Sequence, residues 1–153
     1  MAANRIVVGV EGSDGSRAAL RWAIDEARVR SCTVVVVTAY LPTYVPAAPD
    51  YGYVPLDAPD LVDEVRKMQD EMVDEALLLD GGPPDPFEQH LLEGRAAETL
   101  ITASQDASLL VVGNRGRGGF RGLLLGSVSQ HTAHHASCPV VIVRSDMRFA
   151  ASP

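Results

Sequence analysis

The chain has 153 residues, 46% of them hydrophobic, and a formal net charge of −7 at pH 7. That is enough apolar material for one ordinary domain core. The charge disfavours a nucleic-acid partner, which needs Lys and Arg to neutralise it, and no apolar run reaches the roughly 20 residues of a membrane helix.

Met1-Ala2-Ala3-Asn4-Arg5 leads straight into Ile6-Val7-Val8, without the features of a signal peptide. The expected location is the cytoplasm. There, Cys32 and Cys138 are expected as thiols, not as a disulfide, and no CxxC spacing suggests zinc.

Arg5 to Val10 is a β-branched run closed by Gly12, and it predicts a buried strand. Ser13 or Asp14 can cap the following helix, in which Ala19, Leu20, Ala23, Ile24 and Ala27 recur at helical spacing. Cys32 to Ala39 contains four consecutive valines, Val34 to Val37, and predicts a second strand. Leu41 to Pro59 carries five prolines and three tyrosines and reads as a long surface loop. Tyr44, Tyr51 and Tyr53 in it are read either as a cover or contact surface or as ordinary loop residues.

Leu61 to Leu79 predicts a helix, ended by Gly81-Gly82-Pro83-Pro84. A strand over Phe87 to Leu92, a helix over Ala96 to Ser104 and a very apolar strand over Leu109 to Val112 come next. A helix over Val128 to Ala136 and a strand over Val140 to Val143 complete the pattern, with a loose tail after Ser145. Apolar strands alternating with helices predict an α/β fold: a five-stranded parallel sheet in a three-layer, Rossmann-like or flavodoxin-like sandwich. Residues 1–153 read as a single domain. Ligands of such sheets bind beyond the carboxyl ends of the strands, where strand order reverses.

Charge is unevenly placed. Between Pro42 and Asp106 fifteen acids face only Arg66, Lys67 and Arg95, whereas Ala107 to Arg144 has four arginines, three histidines and no acid. A local positive patch on an acidic chain suits a small anion. It coincides with Gly113-Asn114-Arg115-Gly116-Arg117-Gly118-Gly119-Phe120-Arg121-Gly122, which follows a strand, and Gly126-Ser127, which opens a helix. Six glycines here let backbone approach an anion or take positive φ. The helix start offers free amides and a positive dipole. Ser127 adds a hydroxyl, and Arg115 and Arg117 add charge. A Walker A loop is excluded, since Lys67 is the only lysine, and GxGxxG does not occur.

In this order the residues resemble the universal stress protein family. Its nucleotide-binding members carry Gly, two residues, Gly, nine residues, then Gly-Ser or Gly-Thr. Gly113, Gly116 and Gly126-Ser127 match that spacing, and Val8-Gly9-Val10, Leu109 to Val112, Val128-Ser129 and Cys138-Pro139-Val140-Val141 extend the likeness over Arg5 to Arg144. The resemblance implies ATP or another adenine nucleotide between the first strand and the Gly-rich loop. It implies adenine near the end of the second strand, around Ala39, and the triphosphate along Gly113, Gly116, Gly126, Ser127 and Ser129. Gly9, Val10, Val112, Arg115, Arg117 and Val128 complete the expected nucleotide-binding residues. It also implies a homodimer through Pro139 to Arg144. Glu11 stands where the family usually has Asp, a carboxylate for the ribose or for Mg²⁺ on the phosphates.

Three functions are compatible with these residues: a regulatory stress protein switched by nucleotide occupancy, a dimeric interaction module without nucleotide, and a slow ATPase. The first accounts for most features, and no acid–base pair marks a catalytic site. His131, His134 and His135 read as a solvated helix face without a third metal ligand. Cys138 reads as a packed thiol.

Overall fold

The computed structural model describes residues 3–42, 44–46, 52–55, 59–84, 86–116 and 125–146. The elements are β1 (Ala3–Gly9), α1 (Asp14–Arg30), β2 (Thr33–Tyr40), β3 (Tyr44–Pro46), β4 (Tyr53–Pro55), α2 (Pro59–Asp80), β5 (Phe87–Glu93), α3 (Ala96–Ala103), β6 (Ala107–Gly113), α4 (Ser127–His135) and β7 (Val140–Val143). Five strands form one sheet in the order β5-β2-β1-β6-β7, and every pair is parallel. This is the Rossmann order, not the flavodoxin one, because the chain steps outward from β1 through β2 to β5 before returning to β6.

The apolar runs fill both faces of the sheet. Ile6, Val8, Val34, Val36, Leu109 and Val111 point to the side covered by α1 and α2, where they meet Leu20, Ile24 and Met72. Their alternates Val7, Val35, Val37, Leu110 and Val112 point to the other side, against Leu100 of α3 and Val128 of α4. The three layers therefore follow from period-two alternation in β1, β2 and β6, which bury apolar side chains on both faces.

Between β2 and α2 the structure corrects the expectation of a plain loop. Tyr44–Pro46 and Tyr53–Pro55 pair antiparallel, with Val45 opposite Val54. Both segments read Tyr-Val-Pro. The aromatic and β-branched pair favours the ladder, and each proline closes it by removing a donor. Pro59 starts α2, where its missing N–H costs nothing. The expected tail beyond Asp146 lies outside the described residues, as does Tyr51.

Candidate functional site

The chain reverses direction across the sheet between β1 and β6, and the crevice outside their carboxyl ends holds a cavity of about 440 Å³. That volume lies within the range of small-molecule sites. Its lining comes from distant parts of the chain: Gly9, Val10 and Glu11 after β1, Val37 and Ala39 of β2, Ala96 and Leu100 of α3, Val112 and Gly113 of β6, Arg115, Gly116, Leu125 and Gly126, and Ser127 to Gln130 of α4. Every candidate residue singled out from the sequence lines it except Arg117, which lies outside the described residues. Val37, Ala96, Leu100, Leu125 and Gln130 were not foreseen.

The starts of α3 and α4 line this crevice and that of α1 follows β1 beside it; neither α3 nor α4 has a side-chain cap, whereas α1 does. Ser13, not Asp14, caps α1: its Oγ accepts the Ser16 N–H at 3.1 Å. Behind it the buried Ser16 Oγ accepts the Gly12 and Glu11 amides at 3.2 and 3.4 Å. Gly12 has φ of 97°, which a side chain would disfavour. The start of α1 thus has one of its first amides capped by a side chain of its own. Gly126 at the start of α4 has no side chain to cap with. Helix N-termini leave their first amides without intrahelical acceptors, so those of Ser127, Val128 and Ser129 face the crevice with the positive end of the helix dipole.

Asn114 holds this arrangement in place. It is buried; its N–H donates to the Val143 carbonyl at 2.8 Å and its carbonyl accepts the Gly126 N–H at 2.7 Å. The Ser129 Oγ is also buried and donates within this junction, 3.0 Å from the carbonyl oxygens of Asn114 and Gly126. Ser129 therefore offers an incoming anion its amide, whereas the exposed Ser127 offers its hydroxyl too.

The glycines do less, and more, than expected. Among the described residues positive φ occurs at Gly12, Gly52, Gly81, Gly82 and Gly94, so Gly113, Gly116 and Gly126 are not glycine for that reason. Gly113 is glycine because α1 comes close: a Cβ there would stand 2.6 Å from the Gly15 carbonyl carbon. A Cβ on Gly15 would in turn meet the Arg115 carbonyl at 2.6 Å. A Cβ on Gly9 would meet Leu100 Cδ1 at 2.7 Å, so Gly9 is the socket into which α3 packs. Gly116 and Gly126 leave open wall, their nearest atoms being 3.5 and 3.4 Å from a Cβ position.

Among the described lining residues, Arg115 is the one cation and Glu11 the one carboxylate. Glu11 Oε1 accepts the Ser13 N–H at 3.2 Å and stands beside Gly116, so the carboxylate sits between the strand ends and the Gly-rich loop. Val37, Ala39, Ala96, Leu100 and Val112 add apolar wall. The cavity therefore combines the first amides of α4, one cation, one carboxylate and apolar side chains.

Residues 3–144 match the Universal stress protein family. The chain belongs to that family. A universal stress protein of Mycobacterium tuberculosis H37Rv, Rv2623, is 35% identical over 153 residues, covering 92% of this chain and 48% of the relative. The chain thus spans about half the length of the curated relatives it matches. A crystal structure of a universal stress protein in complex with cAMP is 25% identical, with a TM-score of 0.66 over 95% of this chain and 100% of the other. A universal stress protein from Archaeoglobus fulgidus in complex with dAMP shares the fold, with 23% identity and a TM-score of 0.61 over 94% of this chain and 99% of the other. Within this universal stress protein, no helix among the described residues is long and apolar enough to cross a membrane.

Proposed function

We propose that this universal stress protein binds an adenine nucleotide in the β1–β6 crevice, and that occupancy sets its regulatory state in the cytoplasmic stress response. The observation that carries this reading is the start of α4, without a side-chain cap, opening on a cavity that also has apolar wall. An anionic group belongs at the amides of Ser127, Val128 and Ser129, with Gly116 and Gly126 leaving room for it and Arg115 adding charge. Arg117 is close in sequence and adds a second cation. Val10, Ala39, Val112 and the α3 side chains Ala96 and Leu100 suit a flat apolar base. Glu11 stands where ribose hydroxyls or a cation belong. With ATP, Glu11 is the lining carboxylate that would hold Mg²⁺, which would offset its charge against that of the phosphates. The cAMP complex of a 25%-identical relative supports an adenine nucleotide as ligand class.

The test is to denature purified protein, identify any released small molecule by mass spectrometry, and titrate the emptied protein with ATP and Mg²⁺. Arg115→Ala should weaken binding by about 10-fold, because a charged hydrogen bond is worth ~1.5–3 kcal/mol before solvent exposure reduces it. No released nucleotide and no binding at millimolar ATP would reject the reading.

The second part of the proposal is a homodimer through Pro139 to Arg144. β7 is an outermost strand of the sheet, and Val140, Val141 and Ile142 are only half-buried. Sedimentation should give a dimer for the native chain and a monomer for Ile142→Pro: the carbonyls of Pro139 and Val143 accept from β6, so by strand alternation the Ile142 N–H faces the free edge, and proline removes that donor. A native monomer at tens of micromolar would refute it.

A further inference from the structure

Helix α4 carries a group of side chains that the crevice does not use. His131, His134 and His135 are all exposed on its outer side. Residues four apart on a helix stand one above the other. The rings of His131 and His135 accordingly lie with centroids 4.5 Å apart, tilted by 42°. His134 stands further off, its ring 6.3 Å from that of His135.

We propose that His131 and His135 form a two-imidazole chelate for a divalent ion of the zinc, copper and nickel class. Two histidines at this spacing on one rigid helix converge on a single ion, the geometry used by helical zinc motifs. Neutral imidazole suits these borderline ions, whereas Mg²⁺ and Ca²⁺ take oxygen ligands. The surroundings favour a cation. His135 is the last residue of α4, at the negative pole of its dipole, and His131 stands one turn before it. The helix has no Lys or Arg to repel an ion. His90 offers a contrast: on β5 it is already paired with Glu88 at 3.0 Å.

Among the described residues no group of three or more such ligands occurs. The chelate therefore holds its ion through two nitrogens and leaves the other coordination positions to water or to a donor from another molecule. It is a surface site, separate from the crevice and independent of nucleotide.

The experiment is a calorimetric titration of nucleotide-free protein with Zn²⁺ alone, followed by imidazole NMR signals. One ion per chain is expected, with the His131 and His135 signals moving together. His131→Ala and His135→Ala should each weaken zinc binding by about tenfold or more, at least the loss that removing an outer partner of a metal ligand causes. His134→Ala should bind as the native chain does. All three positions are exposed on a helix, where alanine is the best helix former, so the variants stay folded. The proposal fails if zinc does not bind, if His131→Ala and His135→Ala bind it unchanged, or if His90→Ala alone abolishes binding.

Discussion

Gly113→Ala should lower stability by ~1–3 kcal/mol or more, the usual cost of forcing atoms into a packed site, whereas Gly126→Ala should leave stability nearly unchanged and weaken nucleotide binding. Both glycines belong to the same sequence motif, yet their surroundings differ. At Gly113 an added Cβ meets the Gly15 backbone at 2.6 Å, and neither backbone can turn away as a side chain can. The start of α1 would have to leave the end of β6. At Gly126 the nearest atom, Arg115 Cα, is at 3.4 Å, an ordinary contact. The methyl group instead narrows the approach to the first amides of α4. Urea denaturation of both variants, followed by nucleotide titration of those that fold, separates the two roles. Equal urea midpoints for Gly113→Ala and the native chain would mean that α1 and β6 are not locked at this contact. It follows that Gly113→Ala is a poor control for nucleotide binding, because lost affinity would report a displaced helix.

Ala96→Phe should reduce adenine-nucleotide affinity by about a hundredfold or more while the protein remains folded. Ala96 opens α3, is half-buried and lines the cavity, as do the apolar Val37, Ala39, Leu100 and Val112. A phenyl ring there occupies the space assigned to the base, and overpacking of ~3 kcal/mol corresponds to roughly two decades in Kd. The half-exposed position gives the new ring a way out toward solvent, so the fold is spared. Fluorescence or calorimetric titration reads the affinity, and thermal unfolding reads the fold. Unchanged affinity in a folded Ala96→Phe protein would place the base elsewhere.

Much of the architecture was legible in the chain. Uninterrupted valines from Val34 to Val37 announce a strand covered on both sides. The helical repeat from Ala19 to Ala27 names the buried face of α1. The glycine spacing after β6 and the family likeness named residues that line the cavity between β1 and β6, Arg117 lying outside the described residues. The contribution of α3 was not legible. Leu100 reaches Gly9 across some ninety residues, and nothing local marks Ala96 or Leu100 as cavity wall. The reasons for the glycines were also hidden. Gly113 read as backbone freedom for a ligand and Gly9 as part of a family likeness, but each answers to a neighbour packed against it, a relation that exists only after folding. The Tyr-Val-Pro segments were obscured by their prolines, which argue against strands unless each proline is a strand end.

The two outer strands of the sheet differ in character. β5 presents Glu88, Gln89 and His90 to solvent, while β7 is Val-Val-Ile-Val. Charged and polar side chains along a sheet margin discourage a further strand from adding there. If two copies join through β7, each uses its only apolar margin, and the same patch serves both in a closed two-fold pairing. What remains outermost is β5 on either side. Growth therefore ends at two subunits, and a chain rich in valine strands avoids lengthening into a fibre.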